Sequence, residues 1–195
     1  GGCVRDSILN RTPKDWDITT SARPEQVKEL FAHTIDTGIE HGTVTVIFMG
    51  EHIEVTTFRT ETDYSDGRHP DCVAYAATIE EDLSRRDFTM NAIAANLKNG
   101  ELIDPFGGMN DINNRLIRAV GNPLERFSED GLRPVRAVRF ASQLGFEIEE
   151  KTLEAVSLKL DVTKKIAVER FHDELLKLRP VTAEEVQLRP EVKKA

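Results

Sequence analysis

The sequence predicts an α+β fold in which a small mixed sheet, flanked by helices, is followed by an all-helical segment. Two runs rich in β-branched residues, 43–49 and 52–58, are separated by a glycine turn and predict a hairpin. From Met109 onward the pattern is almost entirely helical, and we expect no strand after residue 120.

A domain boundary is predicted at the Gly-Asn-Pro break, residues 121–123, which is typical of a connection between elements. It separates a first domain, residues 1–122, from a second, residues 123–195. A chain of 195 residues suits one domain of ordinary size and a smaller one. The chain opens on Gly1 without Met and ends in a charged stretch, so we expect both ends to be cut from a longer protein.

The other elements are predicted from local patterns, with turns at glycine and proline and helices at 3.6-residue periodicity. In chain order they are helix 4–10, strand 15–18, helix 25–31, polar loop 60–72, mostly helical 79–97 and strand 102–103.

The composition is that of a folded domain without a membrane-spanning helix. Apolar residues make up 39% of the sequence and charged residues 31%, enough for a core and an ordinary surface. No apolar run reaches the roughly 18 residues that a transmembrane helix needs, and no signal segment opens the chain. We therefore expect a cytoplasmic protein with no membrane partner. Cys3 and Cys72 are far apart, which favours reduced thiols over a zinc site.

The net charge of −8 argues, by itself, against a nucleic-acid partner. However, six arginines lie between positions 115 and 139: Arg115, Arg118, Arg126, Arg133, Arg136 and Arg139. Such a stripe can bind phosphates by focusing its field, or it can be a solvated helix face. Net charge therefore leaves the class of partner open.

Asp15 and Asp17 are the first candidates for chemistry. If they lie on one strand, residues two apart point to the same face and both carboxylates project together. Oxygen ligands held in this way suit Mg²⁺, which binds few carboxylates and keeps water and phosphate oxygens as its other ligands. Alone, the Asp-x-Asp pattern is weak, because most such pairs lie on solvated edges.

Three further features strengthen the metal-site hypothesis. The pair Gly1-Gly2 leads into a helix, where backbone N–H groups can approach a phosphate beside Arg5. Glu54 lies on the second hairpin strand and faces away from Val55, which we expect in the core. The segment 85–91 places two arginines, an aspartate and an asparagine close together, a set that suits a triphosphate and a ribose.

Seven motifs carry a resemblance to a known family. They are GGCVRD (1–6), DWD (15–17), HGTVTV (41–46), IEVTTFR (53–59), RRDFTMNAIA (85–94), DPFGG (104–108) and EDGLRPVRAVRFA (129–141). In order and spacing the chain resembles, over about residues 1–180, the class II tRNA nucleotidyltransferase and bacterial poly(A) polymerase family. The resemblance implies a polymerase β-like nucleotidyltransferase head followed by a helical neck that recognises the nucleotide base.

The resemblance also implies roles for particular residues. Asp15 and Asp17 match the metal-binding carboxylates, and Glu54 matches the third acidic residue of the catalytic set. The implied nucleotide-binding positions are Gly1, Gly2, Arg5, Arg86, Asp87, Asn91, Asp130, Arg133, Arg136 and Arg139. Among them, Asp130 and Arg133 match the pair that reads the incoming base.

Reading of the base by Asp130 and Arg133 is chemically reasonable. Three residues apart, they would share a helix face. A carboxylate accepts from the exocyclic amine of C or A, and a guanidinium donates to ring acceptors. Pro134 departs from this expectation: it is harmless only in a first helical turn. The helix should then begin near 128–130, with Ser128 as a possible N-cap.

The resemblance implies template-independent addition of C and A, from CTP and ATP, to the 3′ end of tRNA, with two Mg²⁺ ions and release of pyrophosphate. An A-adding or CC-adding specialist and a poly(A) polymerase are alternatives within the same class. A non-catalytic nucleotide- or RNA-binding module is the alternative of another class, although a binder has no need of three carboxylates.

Overall fold

The computed structural model describes residues 1–13, 15–62 and 72–178 of the chain. The helices are α1 Gly2–Ile8, α2 Pro24–Leu30, α3 Ile79–Ser84, α4 Gly108–Asn113, α5 Pro123–Glu129, α6 Leu132–Leu144, α7 Glu150–Leu158, α8 Leu160–Thr163 and α9 Val168–Leu176. The strands are β1 Asp17–Thr20, β2 Thr34–Gly38, β3 Thr43–Phe48, β4 Glu51–Thr57, β5 Arg59–Thr62, β6 Cys72–Tyr75, β7 Ala94–Ala95, β8 Leu102–Ile103, β9 Leu116–Ile117 and β10 Glu147–Ile148. Short 3₁₀ turns span Ile39–His41 and Thr89–Asn91.

The first half of the chain is built on a four-stranded mixed sheet in the order β1-β4-β3-β2. β1 runs parallel to β4, whereas the β3–β4 and β2–β3 pairs are antiparallel. Val27 of α2 packs with Val46 and Val55 against one face of this sheet. The other face is left for polar side chains. The predicted small mixed sheet and the 43–58 hairpin are therefore confirmed.

One core cluster joins residues on both sides of the predicted boundary. Phe88, Ile93 and Ile117 pack with Phe127 and Phe140, and Phe88 meets Phe140 edge-on with ring centroids 5.9 Å apart. The break at 121–123 starts α5: Asn122 accepts a hydrogen bond from the N–H of Leu124 at 3.0 Å, and Pro123 occupies the first turn. The division at 122 stays a prediction.

The prediction of a mostly helical segment over 79–97 is wrong beyond Ser84. Thr78 caps α3, and Glu81 completes the capping box. After α3 the backbone bonds to a distant segment instead: Thr89 N–H donates to the carbonyl of Arg118 at 2.9 Å. Phe88, Met90 and Ile93 are all buried, because the segment crosses the core. An apolar run buried on several sides imitates a helical pattern.

The prediction of a polar loop over 60–72 is wrong at both ends, where the chain forms strands. The ends of the predicted loop 60–72 belong to the antiparallel pair β5–β6, and residues 63–71 lie outside the described residues.

β2 is irregular, since its register with β3 shifts between Ile35 and Gly38. Short polar edge strands of this kind carry little of the alternation on which strand prediction depends.

From residue 120 to residue 178 the regular elements are helices, with one exception. β10 pairs in parallel with β9, and Glu147 N–H donates to the carbonyl of Arg115 at 2.9 Å. The expectation that no strand follows residue 120 is therefore wrong at Glu147–Ile148, because two residues are too short for periodicity to reveal. No helix in residues 1–13, 15–62 and 72–178 is long and apolar enough to cross a membrane.

Candidate active site

The sheet places Asp17 and Glu54 side by side. In the parallel β1–β4 pair Asp17 lies opposite Glu54, and Ile18 lies opposite Val55. Val55 is buried and Glu54 is exposed, as strand alternation requires. On the far side of β4, Thr45 of β3 lies opposite Glu54. A row of Asp17, Glu54 and Thr45 thus crosses the polar face of the sheet.

Asp15 lies near Asp17 and Glu54, as predicted, but not on the same strand as Asp17. β1 begins at Asp17, so Asp15 precedes the strand, and the argument that both project from one strand is wrong. Asp15, Asp17 and Glu54 nevertheless line one open cleft of about 920 Å³, which we call the carboxylate cleft.

The carboxylate cleft suits a divalent metal that completes its coordination with water and substrate. Within the part of the chain that the structure describes, no three His, Cys, Asp or Glu side chains already converge as a metal site. Two carboxylates at paired register positions, with a third in the same cleft, fit Mg²⁺, which keeps several waters and binds through one or two carboxylates plus phosphates. They do not fit a closed structural site of zinc type.

A second cavity, of about 440 Å³, lies next to the carboxylate cleft and shares Asp17 with it. We call it the arginine cavity. All ten predicted nucleotide-binding residues line it: Gly1, Gly2, Arg5, Arg86, Asp87, Asn91, Asp130, Arg133, Arg136 and Arg139. Residues that are up to 138 positions apart in the sequence therefore meet in one place.

The arginine cavity is strongly basic although the chain is acidic. Among the described residues, seven arginines and three aspartates line it. Arg85 belongs to the 85–91 segment that the sequence singles out, although the resemblance implies a nucleotide-binding role only for its neighbour Arg86. The sequence did not reveal Arg170, which comes from α9, far along the chain. A local excess of positive charge in a concave site favours an anionic ligand regardless of the net charge.

Asp87 ties the wall of the arginine cavity together. One carboxylate oxygen accepts from the N–H of Phe88 at 2.8 Å and from Asn91 at 3.0 Å. The other accepts from Nε of Arg136 at 2.8 Å. Burial alone would raise the pKa of Asp87, but the charge of Arg136 and these hydrogen bonds outweigh it and lower the pKa to about 2. Asp87 is therefore a fixed anion.

The same network reaches the first helix. Asn91 Oδ1 accepts from Nη1 of Arg5 at 2.6 Å, and Arg5 also bonds Asp6. Asn91 thus uses both ends of its amide, one toward Asp87 and one toward Arg5. We infer that Asp87 and Asn91 orient arginines, in addition to any contact with a ribose.

Phe140 supports three of the arginines and was not predicted as a site residue. The guanidinium carbons of Arg139, Arg5 and Arg136 lie 4.0, 5.0 and 5.3 Å from its ring centroid. A ring face attracts cations, so Phe140 gathers like charges that would otherwise separate. Its apolar character made it look like an ordinary core residue in the sequence.

Asp82 is a second positioning residue that the sequence did not reveal. Its side chain is fully buried and accepts from Arg85 at 2.9 Å and from Arg86 at 3.1 Å. Burial would raise the pKa of Asp82, but the two arginines lower it. The Nε of Arg86 is buried and has no hydrogen-bond partner in the described part of the chain. A buried unpaired donor is costly, and an anionic ligand would satisfy it.

Asp130 and Arg133 meet in the cavity without sharing a helix face. α5 ends at Glu129 and α6 begins at Leu132, so Asp130 lies in the link between them and that part of the prediction is wrong. Its Oδ1 accepts from the N–H of Leu132 at 2.9 Å. Arg133 is held by the carbonyls of Arg126 and Arg85, at 2.8 and 3.2 Å.

Pro134 does not disturb this geometry. It falls in the first turn of α6, where the missing N–H has no partner to lose. The predicted start of the helix near 128–130 is wrong: Ser128 lies inside α5 and its hydroxyl donates to the carbonyl of Leu124 at 2.7 Å.

Comparison with known proteins identifies the family. Residues 1–118 match the model of the poly A polymerase head domain. The chain belongs to the poly A polymerase head-domain family. Residues 145–178 match a second model, described as the probable RNA and SrmB-binding site of polymerase A. The head-domain match includes Asp15, Asp17 and Glu54, and it also includes the 85–94 motif.

Curated relatives of this family member are CCA-adding enzymes. The chain is 56% identical over 178 residues to that of Lactobacillus helveticus and 54% identical to that of Enterococcus faecalis. Each alignment covers 91% of this chain and 44% of the relative. The chain thus spans somewhat less than half the length of these relatives.

Solved structures of the family share the fold. The CCA-adding enzyme of Bacillus stearothermophilus, solved in complex with CTP, is 42% identical with a TM-score of 0.83, over 98% of this chain and 52% of that one. The CCA-adding enzyme of Thermotoga maritima, complexed with tRNA, is 28% identical with a TM-score of 0.75, over 100% of this chain and 46% of that one. The predicted α+β fold with a nucleotidyltransferase head is confirmed.

Proposed function

We propose that this chain carries the catalytic centre of a template-independent nucleotidyltransferase that adds C and A, from CTP and ATP, to the 3′ end of tRNA. One observation carries the proposal: a cavity that the described residues line with seven arginines adjoins, at Asp17, a cleft lined by Asp15, Asp17 and Glu54. The named relatives and the CTP and tRNA complexes of the solved neighbours support this substrate class. The proposed reaction would take place in the cytoplasm.

The arginine cavity would hold the nucleotide. Arg5 and Arg86 would neutralise the triphosphate, and the unpaired Nε of Arg86 offers a donor for it. Gly1 and Gly2, at the start of α1, leave the cavity wall free of side chains there. The Asp87–Arg136 pair and Asn91 would hold the cavity rigid and contact the ribose, with Arg139 placed on the Phe140 ring. Preorganised charges of this kind need no rearrangement during the reaction.

Asp130 and Arg133 would select the base. The exocyclic amine of C or A would donate to Asp130, whereas U and G would present a carbonyl to it. Two acceptors facing each other in a desolvated pocket cost about 1–3 kcal/mol, which corresponds to a preference of about 5- to 150-fold per step. Arg133, anchored by backbone carbonyls, would give the base edge a fixed donor.

The carboxylate cleft would perform the transfer. Asp15 and Asp17 would hold two Mg²⁺ ions, with Glu54 completing the acidic set; such ions activate the attacking 3′-hydroxyl and stabilise the leaving pyrophosphate. The oxygen of the acceptor hydroxyl would bond to the α-phosphorus and its proton would pass to water. The bond from that phosphorus to the oxygen that bridges it to the β-phosphate would break, and this oxygen would leave with pyrophosphate. The paired positions of Asp17 and Glu54 on β1 and β4 fix these carboxylates on a rigid sheet. A binding module would gain nothing from this arrangement.

Stepwise incorporation tests the proposal. The purified protein is incubated with Mg²⁺, labelled CTP or labelled ATP, and tRNA that ends at the discriminator base, at C or at CC. We expect CTP to be added to the first two acceptors and ATP to the third, with no addition when Mg²⁺ is chelated. ATP addition alone indicates an A-adding specialist, CTP addition alone a CC-adding one, and long adenosine tails a poly(A) polymerase. No metal-dependent addition to any acceptor would overturn the catalytic proposal in favour of a binding module.

A further inference from the structure

Trp16 is exposed at the centre of the proposed catalytic machinery. It is the only tryptophan in the sequence, and 58% of its surface is accessible. It lies between Asp15 and Asp17 and lines the carboxylate cleft with them. Single exposed apolar residues are common on protein surfaces, so exposure alone decides nothing. The informative feature is that Trp16 shares the lining of this cleft with Asp15, Asp17 and Glu54.

The geometry around Asp17 indicates what approaches Trp16. Under the proposed function, the incoming triphosphate occupies the arginine cavity on one side of Asp17. In-line displacement requires the attacking oxygen to be opposite the leaving pyrophosphate. We therefore place the acceptor in the carboxylate cleft, which shares Asp17 with the arginine cavity. This step rests on the proposed function.

The lining of the carboxylate cleft suits the 3′-hydroxyl end of an RNA better than the phosphates of that RNA. No arginine or lysine is among the described residues that line it, and Glu51 adds a fourth carboxylate. The hydroxyls of Thr37 and Thr45 lie 2.8 Å apart on this face of the sheet. His52 lies two residues before Glu54 on β4 and lines the same cleft. Among the described residues of this lining, a contact to the base is therefore a better source of affinity for the last nucleotide than a contact to a phosphate.

We propose that the indole of Trp16 stacks on the 3′-terminal base of a single-stranded RNA acceptor and so places its ribose hydroxyl beside Asp17 and Glu54. Stacking is tolerant of sequence, because every base has a π-face. That tolerance suits an acceptor whose terminal base changes after each addition. A hydrogen-bonding subsite would fit one acceptor and reject the next.

The fluorescence of Trp16 gives a direct readout, because no other tryptophan contributes. A short RNA ending in CC is titrated into the protein with Mg²⁺ present, beside a matched RNA whose terminal nucleotide lacks its base. We expect the intact RNA to quench the emission and to bind about 5- to 100-fold more tightly than the abasic one, the range that one stacked base provides. Equal quenching and equal Kd for both RNAs would overturn the proposal.

Variants separate this inference from the proposed function. Trp16→Ala should raise the KM for the RNA acceptor about 5- to 100-fold with little change in the KM for CTP, and Trp16→Phe should restore most of the loss. Phe48→Ala is the matched control, since Phe48 is 51% exposed at the tip of the β3–β4 hairpin and is not in the cleft lining. If the unaltered protein adds nucleotides and Trp16→Ala keeps its acceptor KM, stacking is wrong and the proposed function stands. If the unaltered protein adds none, the proposed function fails, and the abasic comparison alone decides whether Trp16 binds RNA ends.

Discussion

Replacement of Asp87 by Asn removes one charge from the centre of the arginine cavity and keeps the size of the side chain. Asp87 is 8% exposed, and its carboxylate pairs with Arg136 through contacts of 2.8 and 2.7 Å. Its pKa, lowered from 3.8 to about 2, corresponds to about 2 kcal/mol of stability in the ionised form. We expect Asp87→Asn to lower the free energy of unfolding at pH 7 by about 2–3 kcal/mol, because Arg136 loses its partner.

The pH dependence gives this prediction a sign. A carboxyl whose pKa is lowered by folding stabilises the protein fully above the unfolded value of 3.8, and the contribution is lost as the pH falls to about 2. Urea unfolding at pH 7 and at several values between 4 and 2 should therefore bring the unaltered protein and Asp87→Asn closer together as the pH falls.

An exposed ion pair provides the matched control for Asp87→Asn. Asp36 contacts Lys28 at 2.9 Å with both side chains well exposed, so Asp36→Asn should cost less than about 1 kcal/mol at any pH. If the two variants lose equal stability at pH 7, or if the gap between Asp87→Asn and the unaltered protein does not narrow with falling pH, the buried ion pair does not hold the cavity as described.

Three further variants test the supports of the site. Gly131→Ala would bring a new Cβ to 2.7 Å from the carbonyl oxygen of Val162; we expect a loss of about 1–3 kcal/mol in urea unfolding, and an unchanged midpoint would show that this contact is loose. Asp82→Asn should raise the KM for CTP about tenfold by releasing the two arginines that it holds; steady-state kinetics that give an unaltered KM would contradict the positioning role. Phe140→Leu keeps an apolar side chain but removes the ring under three guanidinium groups. It should lower the free energy of unfolding by about 1–3 kcal/mol and weaken CTP binding. If calorimetry finds the stability and the CTP affinity unchanged, the Phe140 ring does not hold these arginines.

The residues that line the site were largely predictable, whereas their geometry was not. Separate motifs, each with charged or glycine residues in a familiar order, pointed to the ten positions that line the arginine cavity. A family resemblance can predict which residues line a site, because each matched position has a known role in the family. It predicts nothing about a residue such as Asp82, whose role depends on what it touches after folding.

Errors arose where tertiary contacts override local pattern. The helix predicted over 79–97 breaks because Phe88 and Thr89 bond across the core to residues near 118–120. Asp130 lies outside α6, because this helix begins only at Leu132. The residue between them, Gly131, packs closely against the backbone of Val162. Neither contact is visible in a window of ten residues. Two-residue strands such as β10 likewise depend on a partner that is distant in sequence.

In the proposed mechanism Asp17 lies between the nucleotide and the acceptor and takes part in the transfer itself. Incorporation of labelled CTP into tRNA, with and without Mg²⁺, should be measured for the unaltered protein and for Asp17→Asn. Because Asp17 is exposed, the variant should unfold within about 0.5 kcal/mol of the unaltered protein. We predict Mg²⁺-dependent incorporation by the unaltered protein and only background incorporation by Asp17→Asn. Near-normal incorporation by a folded Asp17→Asn would contradict the account.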